Sequence, residues 1–174
     1  MTDRANEIDR FLADAGWSGA ARRPLAGDAS FRRYDRVTRA GANAVLMDAP
    51  PPHEDVRPFV TMTRHLQGLG YSVPTILAED ANTGLLLLED LGDMTYTRAL
   101  SAGIDEAHLY NAAINVIADL HRKSETTAIP DGMPAYDAQR LLAEAELLID
   151  WYLPNIAGYP IADSARHSFR TVWQ

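Results

Sequence analysis

The sequence contains no cysteine and only one lysine. Without cysteine there is no disulfide framework and no thiolate metal site. The lysine is Lys123, and the other fifteen of the sixteen basic residues are arginine. Any contact to an anion made before residue 123 must therefore use arginine, a main-chain N–H or a helix terminus. Long hydrophobic runs are also missing. The longest aliphatic stretch is the four leucines at 85–88, far too short to span a bilayer. The opening Met-Thr-Asp-Arg-Ala-Asn-Glu lacks the basic start and apolar centre of a secretory signal. Positive charge is scarce overall: 16 basic against 24 acidic residues give a net charge of −8. That balance argues against a nucleic-acid surface, which carries a basic patch. These absences lead to the expectation of a cytoplasmic protein with neither nucleic acid nor membrane as partner.

What is present suggests a small sheet followed by helices. Residues 84–93, Gly-Leu-Leu-Leu-Leu-Glu-Asp-Leu-Gly-Asp, read as a buried strand bounded by turn residues. Upstream, residues 3–15 carry an amphipathic helix pattern through Ile8, Phe11, Leu12 and Ala15, stopped by Gly16. Residues 22–26, 31–37 and 44–48 read as a three-stranded antiparallel meander, with turns at Gly27-Asp28 and at 39–43. The Pro50-Pro51-Pro52 run ends it. A helix is expected from about Glu54, with its acidic residues in the first turn and Val56, Phe59, Val60, Thr63 and Leu66 buried. A fourth strand is expected at 75–79. Beyond the leucine strand only helical patterns occur, at 94–101, 105–121, 137–152 and after Asp163. Their inward faces are expected at Tyr110, Ala113, Ile114, Ile117 and Leu120, then at Leu141, Leu142, Ala145, Leu148, Ile149 and Tyr152.

Three stretches carry a family resemblance: Gly27-Asp28-Ala29-Ser30-Phe31-Arg32-Arg33-Tyr34, Val45-Leu46-Met47-Asp48-Ala49-Pro50-Pro51 and Leu88-Glu89-Asp90-Leu91-Gly92-Asp93. Together they resemble the aminoglycoside phosphotransferase family. Within it they are most similar to the branch with the bacterial cell-wall amino-sugar kinases, which phosphorylate the anomeric hydroxyl of N-acetylmuramate and N-acetylglucosamine in cell-wall recycling. Ala118-Asp119-Leu120-His121 and residues 147–153 are similar too. The resemblance implies an α+β, protein-kinase-like fold. It would comprise a five-stranded antiparallel nucleotide lobe with one packed helix at 1–91, a hinge, and an incomplete helical substrate lobe at 92–174.

It also implies ATP, with magnesium, and a sugar acceptor. The turn at Asp28, Ala29 and Ser30 would cover the phosphates, or is a plain hairpin turn. Arg32 and Arg33 are adjacent on a strand and point to opposite faces. One of them is expected to face the cleft as phosphate clamp; otherwise both pair with carboxylates such as Asp35 and Asp48. Met47 stands where a kinase has its strand lysine. It lines the adenine pocket or is simply core. Glu54 or Asp55 takes the place of the helix glutamate or is a solvated carboxylate. Glu89 and Leu91, flanking Asp90, would present a main-chain carbonyl and N–H to adenine. Asp93 reaches a ribose hydroxyl, or caps a helix starting at Met94, the cap being preferred.

His121-Arg122-Lys123 looks like a kinase His-Arg-Asp triplet, but lysine is no base for a hydroxyl proton, and the triplet ends a helix. His121 is expected to pack or hydrogen-bond. No His-x-Asp followed five residues on by Asn occurs in residues 122–174, and phosphoryl transfer needs such carboxylates and amides. The resemblance therefore implies the nucleotide-binding portion of a longer kinase acting on an alcohol group, inactive alone, with its magnesium ligands elsewhere. The alternative is a non-catalytic kinase-like module that binds nucleotide or a partner.

Overall fold

The leucine run is buried on both sides because it lies inside a sheet with a helix on each face. The computed structural model describes residues 4–25 and 30–173. These divide into two compact units, Met1–Pro130 and Asp131–Gln174.

In the first unit, α1 (Arg4–Asp14) precedes β1 (Ala21–Pro24), β2 (Arg33–Arg39) and β3 (Ala42–Asp48); α2 (Arg57–Gly68) is followed by β4 (Ile76–Asp80) and β5 (Leu85–Glu89). The sheet is antiparallel with order β1-β2-β3-β5-β4. Alternate residues of β5 point to opposite faces. Leu85 and Leu87 pack with Ile8, Phe11 and Leu12 of α1, while Leu86 and Leu88 pack with Val56 and Val60 beside α2. Each buried leucine contributes about 2 kcal/mol of apolar burial. On the α1 face Asp48 is also buried, and Arg4 Nε and Nη2 donate to its Oδ1 at 3.0 and 2.6 Å.

The β2–β3 hairpin turns on two residues, Ala40 (φ 49°) and Gly41 (φ 84°). Two successive positive φ angles match the twist of the strands they join. The resulting register pairs Tyr34 with Met47 and Arg36 with Val45.

The helix expected from Glu54 starts later, at Arg57. Its first turn holds no acidic residue. Asp55 Oδ1 instead accepts the Arg57 N–H at 3.0 Å, a local bond that holds the chain just ahead of the helix. Val56, Val60 and Thr63 are buried, and Phe59 and Leu66 are half-buried.

Three helices complete the first unit: α3 (Tyr96–Ser101), α4 (Glu106–Arg122) and α5 (Glu125–Ala128). Asp105 caps α4 by accepting the His108 N–H at 2.8 Å. The end of α2 is tied to them. Tyr71 Oη donates to Asp119 Oδ2 at 2.6 Å, and His65 Nε2 lies 3.0 Å from the Ala128 carbonyl. Tyr110, Ile114 and Ile117 of α4 were expected to face inward but are exposed among the described residues, as is His121. Their helical spacing marks an apolar stripe but does not supply its cover.

In the second unit, α6 (Ala138–Leu147) runs into a π-helical turn (Leu148–Tyr152), a last turn α7 (Leu153–Asn155) and then α8 (Asp163–Trp173). The single helix expected over 137–152 is thus interrupted. Leu153 N–H reaches back five residues to the Leu148 carbonyl, and Pro154 has no N–H to continue the α-helical ladder. Ile149 is buried, whereas Leu141, Leu148 and Tyr152 are exposed. Arg166 and Arg170 of α8 pair with Asp150 and Glu146. No helix among the described residues is long and apolar enough to cross a membrane.

Candidate active site: a crevice beside the end of β5

The sheet face that carries α2 opens into a crevice of about 320 Å³ where β5 ends. Leu25, Tyr34, Val45, Met47, Phe59 and Leu88 form its apolar wall. Its polar edge is the segment 89–93 with Arg36. A flat apolar slot with few polar groups on one side is the usual form of a small-ligand site.

The carboxylates of the polar edge are already engaged. Glu89 Oε2 accepts from Thr75 N and Oγ1 at 3.0 and 2.8 Å. Those two bonds hold its carboxyl below the usual range. The Glu89 N–H is also taken, by the Thr75 carbonyl at 2.8 Å. On the other side Arg36 binds two carboxylates at once. Its Nε lies 2.6 Å from Asp90 Oδ2 and its Nη2 donates to Asp90 Oδ1 at 3.0 Å. Nη1 and Nη2 donate to Asp93 Oδ2 and Oδ1 at 2.9 and 2.8 Å. Asp90 Oδ1 further accepts the Gly92 N–H at 2.9 Å. The main chain at 89–92 is therefore fixed from β4 and from β2. Leu91 is different: its side chain is 64% exposed, and among the described residues no group accepts its N–H. This donor belongs to the crevice lining, two residues after Glu89.

Arg36 lowers the carboxyl pKa of both Asp90 and Asp93, and the Gly92 N–H adds to the effect at Asp90. A carboxylate depressed in the folded state contributes stability that is present above its unfolded pKa, near 4, and is lost as pH falls through the lowered value. Arg36→Met is expected to remove that contribution. A series of melting temperatures from neutral pH down to about pH 2 should show a shallower acid decline in the variant. Parallel curves would count against the clasp.

Met47, Glu89, Asp90, Leu91 and Asp93 all line the crevice. Met47 is 1% exposed and also belongs to the core with Val56, Val60, Leu86 and Leu88, so it serves as lining and core together. Asp93 does not cap a helix. Thr95 caps α3, its side chain accepting the Arg98 N–H, and Asp93 is drawn to Arg36 instead.

Arg32 and Arg33 do not line this crevice. Arg33 pairs across the ladder with Asp48 and shares the α1 face with Asp35 and Val37. It lines a separate cavity of about 460 Å³ with Arg4, Arg22, Arg32 and Asp35. Arg32 precedes β2 and donates from Nε to Glu54 Oε2 at 3.0 Å. Glu54 Oε1 also accepts the Phe31 N–H, so Glu54 is bonded rather than solvated. Ser30 Oγ accepts the Arg32 N–H at 3.1 Å. Asp28 and Ala29 lie outside the described residues.

Arg36 is the cation at the crevice that sequence reasoning missed. Two-residue alternation from Tyr34 would have found it once Tyr34 was matched to Met47. Among the described residues no three His, Cys, Asp or Glu side chains gather as a metal site.

The phosphotransferase enzyme family model matches residues 21–169 of this chain. The chain belongs to that family. As a phosphotransferase-family chain it has the α+β, kinase-like architecture described above, with its antiparallel sheet of five strands. It is similar to the N-acetylmuramate/N-acetylglucosamine kinase of Pseudomonas aeruginosa, at 42% identity over 135 residues, covering 78% of this chain and 38% of that protein. The Pseudomonas putida kinase of the same name is 37% identical over 171 residues, 97% of this chain and 49% of that protein. The Caulobacter vibrioides one is 30% identical over 195 residues, 94% and 53% respectively. This phosphotransferase-family chain thus spans about half the length of the curated relatives it matches.

Proposed function

We propose that this chain is the ATP-binding part of a small-molecule phosphotransferase that phosphorylates a hydroxyl of an amino sugar. The observation that carries the reading is the Leu91 N–H, unclaimed among the described residues, at the edge of an apolar slot whose neighbouring carboxylates are all engaged. Adenine has an acceptor next to a donor on one edge, and the Leu91 N–H and Glu89 carbonyl complement that pair. Val45, Met47 and Leu88 would cover its faces. The names of the relatives support an amino sugar as acceptor.

Nucleotide binding is assigned to residues 1–91, with the hinge ending near Asp93, and acceptor binding begins in residues 92–174. Asp28, Ala29 and Ser30, which come after β1 in the sequence, are assigned to the phosphates. Magnesium would neutralise charge on the transferred phosphoryl group. Its ligands and the carboxylate that orients the acceptor hydroxyl are assigned to a longer polypeptide, since no His-x-Asp followed five residues on by Asn occurs in residues 122–174.

The test is calorimetric titration of the 174-residue chain with ATP, alongside a phosphate-transfer assay with N-acetylmuramate and N-acetylglucosamine. Saturable ATP binding without turnover is expected. A chain that binds no ATP would refute the nucleotide site, and measurable turnover would refute the placement of the catalytic carboxylate outside it.

A further inference from the structure

The crevice contains a cation, yet the geometry points to a use for it other than gripping phosphate. We propose that Arg36 is a stacking platform for the nucleotide base. The inference rests on the nucleotide reading above and adds a role for one side chain within it.

A guanidinium has five N–H donors around its edge and two open faces. In Arg36 the edge is nearly full. Nε and Nη2 face Asp90, and Nη2 and Nη1 face Asp93, with separations of 2.6–3.0 Å. A phosphate oxygen needs an accessible edge donor. Nε is buried and makes no hydrogen bond among the described residues, so one N–H on Nη1 is all that remains within reach. Charge argues the same way: one guanidinium between two carboxylates leaves a net −1, and a triphosphate brought there meets the half-exposed Asp93 carboxylate. The phosphates must therefore leave the crevice by another route.

What Arg36 still offers is its plane. The side chain is only 12% exposed and forms part of the crevice wall on the same sheet face as Tyr34, Val45 and Met47. Two hydrogen bonds to Asp93 and one to Asp90 hold it in one orientation, so little freedom is lost when a ring settles against it. A planar cation stacks on an aromatic ring, and a base hydrogen-bonded to the Leu91 N–H occupies the same slot. Lysine at this position would keep the charge but present no plane. The class of ligand implied is a nucleoside or nucleotide, with affinity gained from the base.

The experiment titrates adenosine and ATP separately into the 174-residue wild-type chain, Arg36→Lys and Arg36→Tyr, with melting curves to check folding. Arg36→Lys is expected to weaken adenosine and ATP equally, by about tenfold. Arg36→Tyr restores a plane without the ion pairs and is expected to recover most of the loss. The wild type alone gives an independent reading should a variant fail to fold. The Arg36 side-chain ¹⁵Nε–¹H resonance of the wild type should shift with adenosine through the ring current of a stacked base, and an unmoved resonance on binding would overturn the proposal. So would a loss confined to ATP, which marks a phosphate clamp, or an Arg36→Lys variant that binds adenosine like the wild type. In each of those cases the nucleotide site itself survives. A wild type that binds neither ligand overturns both readings.

Discussion

Gly84→Ala is expected to cost about 2–5 kcal/mol of folding stability, a large part of the 5–15 kcal/mol typical of a domain. Gly84 sits where the β4–β5 turn enters the leucine strand. That turn is held by Asp80 Oδ1, which accepts the N–H groups of Asn82 and Thr83 at 3.0 and 3.2 Å. Gly84 has φ +71°, and a Cβ built on it would lie 2.0 Å from the Ala49 carbonyl oxygen. Neither strand can retreat, because the Ala49 N–H donates to the Gly84 carbonyl at 2.9 Å and Ala49 is fully buried. A side chain therefore adds left-handed strain to a clash between two main chains. Gly92→Ala is the matched control. Its φ is +80°, but among the described residues nothing lies within 4 Å of the added carbon, so only the conformational cost, about 1–2 kcal/mol, applies. Denaturant midpoints decide the matter. Equal losses in the two variants would mean that the close approach at Ala49 has no energetic consequence.

Leu91→Pro is expected to lower ATP affinity by about 10–100-fold while leaving the fold intact. Proline removes the N–H assigned to the base, and losing a buried hydrogen bond of this kind costs about 1–3 kcal/mol. The fold has little to lose, since no described group accepts that N–H and the side chain is largely exposed. Leu91→Ala keeps the main chain and should bind ATP almost as the wild type does. Calorimetric titration of both variants checks the pair. Strong loss in Leu91→Ala would transfer the role from the main chain to the side chain.

The buried strand, the meander and the helix on each side of the sheet were legible because they follow from hydrophobic period. The leucine run needed apolar neighbours on both faces, and α1 and α2 supply them. Face assignments near the crevice were less legible because they depend on register. Reading 39–43 as the turn sets Thr38 opposite Ala44, whereas the two-residue turn at Ala40-Gly41 sets Thr38 opposite Asn43. A slip of one residue exchanges the faces of a strand. It is enough to bring Arg33 toward Met47 in place of Arg36. The helix start was misplaced for a different reason: Glu54 and Asp55 suit a first turn, but their carboxylates are bonded to Phe31, Arg32 and Arg57. The stripe on α4 was read correctly as apolar, but what covers it lies beyond helical spacing.

The account stands on a nucleotide base meeting the main chain just past β5. The most direct measurement is an amide ¹⁵N–¹H titration of the 174-residue chain with adenosine. The largest shifts are predicted at Leu91 and Gly92, with smaller ones at Val45 and Met47. Shifts that gather instead at Arg22, Arg33 and Asp35, around the cavity beneath α1, with the Leu91 amide unmoved, would contradict it.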